Sequence, residues 1–434
     1  MTYLRLPRLF CGRLVLSNPP KLANDCFALP PGVHWTPVDE TLERLREGLT
    51  VVTGIEPVPT VTAGGRVLAA AIHANRSNPP YANSAVDGYG FAHASLGDGA
   101  QTLPLVDGRS AAGGPYRGVV PAGAAIRILT GAMIPSGVDT IVLEEDVSLG
   151  DGTVSFQSGL KKGANARPVG EDVEMGGEIF TAGHKLRPQD LALLSATGVD
   201  IVSVHKPLRV GILSTGDELR QIGDPIEPHQ IYDANRPMLL DLIRHWGMTA
   251  VDLGHINDDA EKVSEALNKS AETTDVILTT GGASAGDEDH ISAALRAAGA
   301  LNLWRIAIKP GRPLALGLWN GTPVFGLPGN PVAAFVCTLI FARPALLEMS
   351  GAGWHTPRAL TLPAAFSKNK KPGRREYLRA RINSDGHAEV FKSEGSGRIS
   401  GLSWADGLVE LADEGRVINE GDPVRYYPFS EFGI

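Results

Sequence analysis

The fold is decided by a stretch in the second half of the chain, residues 275–299, which reads DVILTTGGASAGDEDHISAALRAAG. Its first part is an apolar run of strand length, and its last part, from His290, places apolar residues at helical spacing. Between them lie two glycines, a row of small residues and three carboxylates. Glycines at a strand end let backbone N–H groups approach an anion, whereas acids repel an anion unless a cation lies between them. The stretch therefore predicts a strand, a ligand-binding loop and a helix.

Patterns of strand and helix alternate on both sides of this stretch, from residue 207 to about 350. Such alternation predicts an α/β domain with a parallel sheet covered by helices on both faces. In sheets of this kind, ligands bind where the strands end at their carboxyl side. That rule brings four loops to one edge, here called the rim: STGDE (214–218), NDD (257–259), TTGGASAGDED (279–289) and LPGNP (327–331).

The segments that flank the α/β pattern are of a different type. Between about 50 and 206, short apolar runs separated by turns predict a β-rich region with one helix at 187–198. After residue 355 the pattern returns to short strands and predicts a further β domain. An amphipathic helix is predicted at 36–49, with Thr36 as its N-cap and Pro37 at its first position. The predicted fold class is therefore multidomain α/β plus β.

Composition and charge exclude several classes of protein. The 434 residues include 48 acidic and 40 basic side chains, for a formal charge of −8, and no long basic run. A nucleic-acid partner therefore has no electrostatic support. The apolar run FVCTLIFA (335–342) is too short to span a bilayer, so no membrane contact is expected. The three cysteines form no CxxC pair, which favours a reducing compartment, and we expect a cytoplasmic protein.

The first 34 residues are predicted to be an N-terminal extension outside the core. Residues 1–24 contain three arginines and one lysine but no acidic residue. This composition is typical of an organelle transit peptide. The alternative, which we favour, is a variable tail or a start codon placed too early.

Acidic side chains are concentrated at the rim. Asp217 and Glu218 follow one strand, Asp258 and Asp259 follow another, and 287–289 reads DED. Mg²⁺ binds one or two carboxylates together with phosphate oxygens, so it would reconcile these acids with an anionic ligand. The alternative is a set of tight turns whose acids cap the helices that follow, and it stays open for Asp258 and Asp259.

Groups that bind anions accompany these acids. Lys309 and Arg312 lie in the sharp turn KPGR, where arginine suits bidentate contacts and lysine acts as a point charge. The other candidates supply backbone N–H groups, a hydroxyl and a helix N-terminus: Gly281, Gly282, Ser284, Gly329 and Asn330. Together these groups predict a phosphorylated ligand bound with a divalent cation.

Two stretches of the β-rich region contain further polar turns. They are YANSAVDGYGF (81–91), with Asp87, and ILTGAMIPSG (128–137), with Thr130. From spacing alone, each is a turn with side-chain-to-backbone hydrogen bonds. The eleven histidines form no HxH or HxxxH pair, the GxxxxGK[ST] motif is absent, and no nucleophile pair of cysteine and histidine is evident. A P-loop ATPase and an acyl-transfer hydrolase are therefore not indicated.

Eight motifs in a fixed order go beyond these local arguments. They are NSAVDGY (83–89), RILTGAMIPSGVDTIV (127–142), RPVGEDV (167–173), GILSTGDEL (211–219), DANRPML (233–239), TTGGASAGDEDH (279–290), IAIKPGRP (306–313) and FGLPGNPVA (325–333). With them, the chain from about residue 35 onward resembles the molybdopterin molybdenumtransferases, the MoeA and gephyrin E-domain family of molybdenum cofactor biosynthesis.

The resemblance implies an elongated homodimer of four-domain subunits with composite active sites. On that basis the domains are 35–80 with 164–206 (an elongated linker and dimerisation domain), 81–163 (β-rich), 207–352 (α/β, binding molybdopterin) and 353–434 (C-terminal β). The reaction implied inserts molybdenum from molybdate into adenylylated molybdopterin and releases AMP with Mg²⁺ assistance. Molybdopterin adenylyltransferase and molybdoenzyme apoproteins or their chaperones are candidate partners.

The resemblance also assigns roles to residues. Catalytic roles fall on Asp87, Thr130, Glu218, Asp258 and Asp289, with Glu218 and Asp289 holding the metal. Substrate-binding roles fall on Asp217, Gly281, Gly282, Ser284, Arg305, Lys309, Arg312, Gly329 and Asn330, and molybdate binding on Lys309, Arg312, Arg374 and Ser400. Asp87 and Thr130 are expected to reach the α/β domain of the other subunit. Val86 stands where methionine is frequent, and Arg305 and Arg312 stand where lysine is common, which keeps the charge but changes its geometry.

Three alternatives remain beside this interpretation. The adenylyltransferase of the preceding step has a related α/β domain but usually lacks the flanking β domains. A nucleotide amidase with the same module would need its own amidase domain, for which the segment after 355 is too short. A scaffold protein of the gephyrin type could lose acids at the site, whereas Asp87, Glu218 and Asp289 are all present here.

Overall fold

A six-stranded sheet organises the middle of the chain in the computed structural model, which describes residues 35–281, 290–298, 301–311 and 313–434. Its strands lie in the order Thr249–Ile256, Arg209–Thr215, Val276–Thr280, Thr322–Leu327, Pro313–Trp319 and Leu301–Arg305. The first four are parallel, as predicted. The last two were not predicted, and they add an antiparallel edge to the sheet.

Helices cover both faces of this sheet because its strands are apolar on both sides. The helices are Asn235–His245, Ala260–Thr273, His290–Ala297, Pro331–Cys337 and Arg343–Met349, with a π-helical turn at Thr338–Ala342. On one face Ile212 and Leu278 pack against Ile243 and other buried residues. On the opposite face Leu213 and Ile277 pack with residues of the helices 260–273 and 290–297. The central strands are therefore buried on both sides.

The continuous helical segment Pro331–Met349 contains the apolar run noted in the sequence. By length and composition this segment is long enough to cross a membrane, although the run 335–342 alone is not. However, 89% of its most apolar window is buried inside the fold. This burial is typical of a core helix.

The N-terminal helix spans Val38–Gly48 and packs on the α/β domain of its own chain. The predicted N-cap at Thr36 is wrong, because Thr36 forms a β-bridge with Ile306 and Pro37 takes the cap position. At the helix start, Asp39 accepts two hydrogen bonds from Arg375 of the C-terminal domain, at 2.7 and 2.8 Å. This pairing ties the helix to both domains.

Two β-rich regions precede the α/β domain. In the first, the strand Ile55–Pro59 pairs with Ile201–His205 and Ile72–His73 pairs with Glu178–Phe180, beside the helix Pro188–Ala196. The second has a sheet in the order Thr140–Leu143, Gly88–Phe91, Ala125–Ile128, Gln101–Ser110, Thr153–Phe156 and Val147–Gly150. A short pair links Asn83–Ser84 with Ala166–Arg167, and within the α/β domain another links Leu219–Arg220 with Ile231–Tyr232.

The C-terminal region forms a separate sheet. Its order is Ile308–Lys309, Arg375–Ile382, Gly407–Leu411, Pro423–Pro428 and Leu360–Pro363, with Ala388–Val390 beside 375–382. Lys368–Lys370 pairs with Arg416–Ile418, and a short helix spans Ser400–Trp404. The two-residue strand Ile308–Lys309 comes from the α/β domain, so it carries Lys309 into the C-terminal sheet.

Candidate active site

The loops at the rim meet backbone to backbone. Gly281 has a φ of +90°, and a Cβ added to it would lie 2.3 Å from the Thr215 carbonyl oxygen. A Cβ added to Gly329 would lie 3.7 Å from the Gly281 Cα. The structure therefore brings the ends of three neighbouring strands into direct contact, and only glycine fits at 281. This packing produces a backbone cradle of the kind that phosphates occupy.

Asn235 links two of the strand ends that form this cradle. Its Nδ2 donates to Thr280 Oγ1 at 2.6 Å and to the Gly329 carbonyl oxygen at 2.7 Å. Its Oδ1 is buried without a hydrogen-bond partner in the described part of the chain, as are the hydroxyls of Thr215 and Thr279. Buried polar atoms are rarely left unpaired, so each of these atoms is a position where water or a ligand could supply the missing hydrogen bond. Sequence reasoning quoted the motif that contains Asn235 but did not assign the residue a role.

Two of the predicted rim acids form a reciprocal pair. Asp217 Oδ1 accepts from Asn257 Nδ2 at 2.8 Å and from the Asp258 backbone N–H at 3.2 Å. Asp258 Oδ2 in turn accepts from the Asp217 N–H at 3.4 Å. The Asn257 bond, followed by the Asp258 bond, lowers the pKa of Asp217. Asp259 serves as the N-cap of the helix 260–273, so for this residue the capping alternative is correct.

The carboxylate of Glu218 folds back over the preceding turn. One of its oxygens lies 2.5 Å from the position that a Cβ on Gly216 would take. The described residues contain no group of three or more His, Cys, Asp or Glu side chains arranged to hold a metal ion. Asp217 and Asp258 lie close enough to exchange backbone hydrogen bonds, and such a pair suits Mg²⁺, because this ion takes one or two carboxylates and completes its shell with phosphate oxygens and water.

Several predicted site residues lie outside the described part of the chain. They are Gly282, Ser284, Asp289 and Arg312. Arg305 is described: it ends the strand 301–305, is half-buried, and its carbonyl accepts from the Thr36 N–H at 2.9 Å. Asn330 precedes the helix 331–337 at its N-cap position but makes no side-chain cap bond there.

Asp87 and Thr130 are brought together in the second β-rich region. Asp87 Oδ1 accepts from the Thr130 N–H at 2.6 Å and from its hydroxyl at 2.7 Å. These two bonds lower the pKa of the exposed Asp87 carboxyl, which therefore stays ionised. Among the described residues no hydrogen bond or ion pair links this pair to the rim of the same chain.

Lys309 lies in a cluster of four charged side chains, here called the Lys–Glu cluster: Lys309, Lys368, Glu376 and Glu394. Lys309 Nζ lies 2.5 Å from Glu394 Oε2 and 3.5 Å from Glu376 Oε2. Lys368 Nζ lies 3.2 Å from Glu376 Oε2 and also contacts Glu394 Oε1. Sequence analysis assigned no role to the other three members of the cluster, Lys368, Glu376 and Glu394.

The cluster borders a groove between the α/β and C-terminal domains. A cavity of about 180 Å³ is lined there by Pro310, Val332, Lys368, Arg379 and Glu394, among others. The predicted molybdate residue Arg374 directly precedes the strand 375–382, which pairs with 308–309. Ser400 is exposed at the start of the helix 400–404. The groove is therefore lined by the basic side chains of Lys368 and Arg379 together with the carboxylate of Glu394.

Comparison with known protein families covers most of the chain. Residues 36–198 match the MoeA N-terminal region (domains I and II), 211–348 match a probable molybdopterin binding domain, and 361–429 match the MoeA C-terminal region (domain IV). A molybdopterin molybdenumtransferase of Haemophilus influenzae is 35% identical over 91% of this chain and 98% of its own length.

The chain belongs to the MoeA family of molybdopterin molybdenumtransferases. A second relative of that name, from Nostoc, is 29% identical over 85% of this chain and 87% of its own. The crystal structure of the molybdopterin biosynthesis MoeA protein from Pyrococcus horikoshii superposes with a TM-score of 0.78, at 28% identity, over 91% of this chain and 100% of the other. The family and fold class inferred from the sequence are thus confirmed, and the protein is a transferase.

The Lys–Glu cluster lies between two of the regions matched by the family comparison. Lys309 lies in the part that matches the molybdopterin binding domain, whereas Lys368, Glu376 and Glu394 lie in the part that matches the MoeA C-terminal region. The cluster thus joins two regions of the family fold.

Proposed function

We propose that this enzyme inserts molybdenum from molybdate into adenylylated molybdopterin and releases AMP in a Mg²⁺-dependent step. The observation that carries the proposal is the cradle at the rim. There Gly281 and Gly329 approach each other next to buried hydroxyls of Thr215 and Thr279 that have no partner in the described chain. Such a cradle suits the phosphate groups of a nucleotide-linked pterin.

The acids beside the cradle supply the other half of the phosphate site. Asp217 and Asp258 hold each other through their backbone N–H groups, so both carboxylates stay in place near the rim. Glu218, with Asp289 outside the described residues, is the pair that we expect to hold Mg²⁺. When bound, the ion would neutralise charge on phosphate oxygens during cleavage of the anhydride-like link. Asp258 or Asp87 would orient the attacking water or molybdate oxygen.

The opposite end of the substrate requires an oxyanion site. Molybdate is a tetrahedral dianion, and Lys309 and Lys368 place two ammonium groups within one cluster. Burial disfavours the charge on Lys368, but bonds to Glu394 and the charge of Glu376 outweigh it and raise the pKa of Lys368. Lys368 therefore stays cationic at neutral pH, and Arg312 would add a bidentate contact.

Asp87 and Thr130 support a composite site in a homodimer. Their carboxylate–hydroxyl pair is exposed and ionised, yet its described contacts are all local. We propose that it completes the rim of the partner subunit. Mixing Asp87→Asn with Asp258→Asn subunits then restores one intact site in each mixed dimer, so about a quarter of the wild-type rate should return. If mixing restores nothing while each variant is folded, the composite arrangement is wrong.

The decisive experiment measures AMP released from adenylylated molybdopterin on addition of molybdate, with and without Mg²⁺. We expect AMP only when molybdate and Mg²⁺ are both present, and a loss of about 10²-fold or more in Asp258→Asn. Asp98→Asn, which changes an exposed acid away from the rim, serves as the control and should retain full rate. If no AMP is released on addition of molybdate and Mg²⁺, only a binding or scaffold role is left.

A further inference from the structure

The Lys–Glu cluster contains an unusual bridging carboxylate. Glu394 directs Oε2 to Lys309 Nζ at 2.5 Å and Oε1 to Lys368 Nζ. One carboxylate thus spans both ammonium groups, with one oxygen on each. Two oxygens at that spacing are also what one edge of a tetrahedral oxyanion presents. Glu394 therefore lies where the proposed molybdate would bind.

The two glutamates of the cluster differ in how firmly they are held. The side chain of Glu376 is 9% exposed and lies on the central strand 375–382. The side chain of Glu394 is 43% exposed and lies on the loop between the strand 388–390 and the helix 400–404. Glu376 is consequently a fixed counter-ion, whereas Glu394 has open solvent into which it can turn.

The backbone around Glu394 is anchored on both sides. The buried Arg379 donates to the Ser393 carbonyl, just before Glu394, and to the Gly395 carbonyl, just after it, at 3.3 Å. The Ser396 carbonyl accepts from the Val332 N–H at 3.1 Å, at the start of the helix 331–337. Because the loop backbone is held, release of Glu394 from the lysines requires only rotation of its own side chain.

We propose that Glu394 is an internal carboxylate that occupies the oxyanion position between Lys309 and Lys368, and that molybdate binds by displacing it. This inference rests on the proposed function of the groove. With Glu394 in place, the two lysines and two glutamates sum to zero formal charge. With Glu394 turned away, the three remaining groups carry one positive charge. A dianion therefore gains more from the exchange than a monoanion, which merely replaces one negative charge by another. Glu394 thus selects for dianions.

The charge state of Glu394 supports this competition at neutral pH. Burial opposes ionisation, but the hydrogen bonds from Lys309 and Lys368 outweigh burial and lower the pKa of Glu394. The carboxylate therefore competes with full charge. Glutamine at the same position keeps the size of the side chain and removes the charge.

The test measures molybdate binding to the full-length protein by equilibrium dialysis and by calorimetry. We expect Glu394→Gln to bind molybdate about tenfold more tightly than wild type, because the competing charge is gone. We also expect chloride to inhibit molybdate binding more strongly in this variant. Glu389→Gln is the matched control: Glu389 pairs with Arg381 in the same domain, at 2.9 Å and 37% exposure, and should leave the Kd unchanged.

Two further results separate this inference from the proposed function. Lys309→Met removes a lysine that the oxyanion needs, so it should abolish binding in both backgrounds. If Lys309→Met abolishes binding but Glu394→Gln leaves the Kd and the chloride effect unchanged, the role of Glu394 is wrong and the oxyanion site stands. If neither wild type nor Glu394→Gln binds molybdate while both melt at the same temperature, the proposed function of the groove fails as well.

Discussion

Replacement of Gly281 by alanine tests how tightly the rim loops close. Gly281 has a φ of +90°, in the region that L-residues rarely adopt. Its added Cβ would lie 2.3 Å from the Thr215 carbonyl oxygen and 2.9 Å from the Thr215 hydroxyl. The carbonyl belongs to a buried strand of the central sheet, so it cannot move aside as the end of a flexible side chain would.

Two costs add in this variant. The backbone conformation costs about 1–2 kcal/mol for any residue with a Cβ. The contact with the Thr215 carbonyl is about 1 Å too short for carbon and oxygen, and relief of such overpacking costs about 1–3 kcal/mol. The free energy of unfolding of the α/β domain should therefore fall by about 2–5 kcal/mol.

Gly321→Ala is the matched control in the same domain. Gly321 has a φ of +83°, but no atom lies within 4 Å of its added Cβ. Only the backbone cost of about 1–2 kcal/mol then applies. Urea unfolding followed by helical circular dichroism compares the two variants, since most of the longer described helices lie in this domain. Equal losses in both would refute the close approach of 281 to 215 and, with it, the cradle.

Two further predictions concern the polar contacts of the site. Asn235→Ala removes two buried hydrogen bonds and leaves the Gly329 carbonyl unpaired, so urea unfolding should show a loss of about 2–4 kcal/mol, whereas Asn268→Ala, at an exposed position, should lose under about 1 kcal/mol. Similar losses in the two variants would contradict the linking role of Asn235. Thr130→Val keeps the amide bond to Asp87 but removes the hydroxyl bond, so the pKa of Asp87 should rise toward its ordinary range in a carboxyl NMR titration. Because the folded-state pKa of Asp87 is lowered, the contact with Thr130 stabilises the fold at pH values above the unfolded-state pKa, and this stabilisation is lost as pH falls through the folded-state pKa. In the variant the folded-state pKa is higher, so the stabilisation should be lost at a higher pH. An unchanged pKa of Asp87 in the variant would contradict the contact.

The parallel core was predictable because burial on both faces leaves a clear pattern. The strands 209–215 and 249–256 lie within the span from 207 to about 350 for which the sequence predicted strands alternating with helices. The antiparallel strands 301–305 and 313–319 were missed. No helix lies between the strands 301–305, 313–319 and 322–327, so the alternation that identified the other strands stops there.

The candidate site also has one part that the sequence predicted and one part that it did not. The rim acids and glycines follow predicted strands, so their convergence could be inferred from topology alone. The Lys–Glu cluster could not, because Lys309 meets Glu376 and Glu394 only through the parallel pairing of a two-residue strand with the C-terminal sheet. A strand of two residues leaves no hydrophobic period to read. The predicted N-cap at Thr36 was wrong for a related reason, because the backbone of Thr36 pairs with the distant Ile306 in a β-bridge.

The start of the helix 331–337 connects the surroundings of Lys309 with those of Gly329. Lys309 lies in the C-terminal sheet, but a Cβ on Gly311 would be 3.0 Å from Cys337 Sγ, so the KPGR turn packs on the helix 331–337. That helix begins directly after Gly329 and Asn330 at the rim, and its Val332 N–H bonds the Ser396 carbonyl of the loop that carries Glu394. One helix start therefore contacts the proposed phosphate cradle and the proposed oxyanion site together. The proposed phosphate cradle and the proposed oxyanion site are therefore held in a fixed relation by one helix start, which is the physical basis we propose for the coupling of molybdate binding to AMP release.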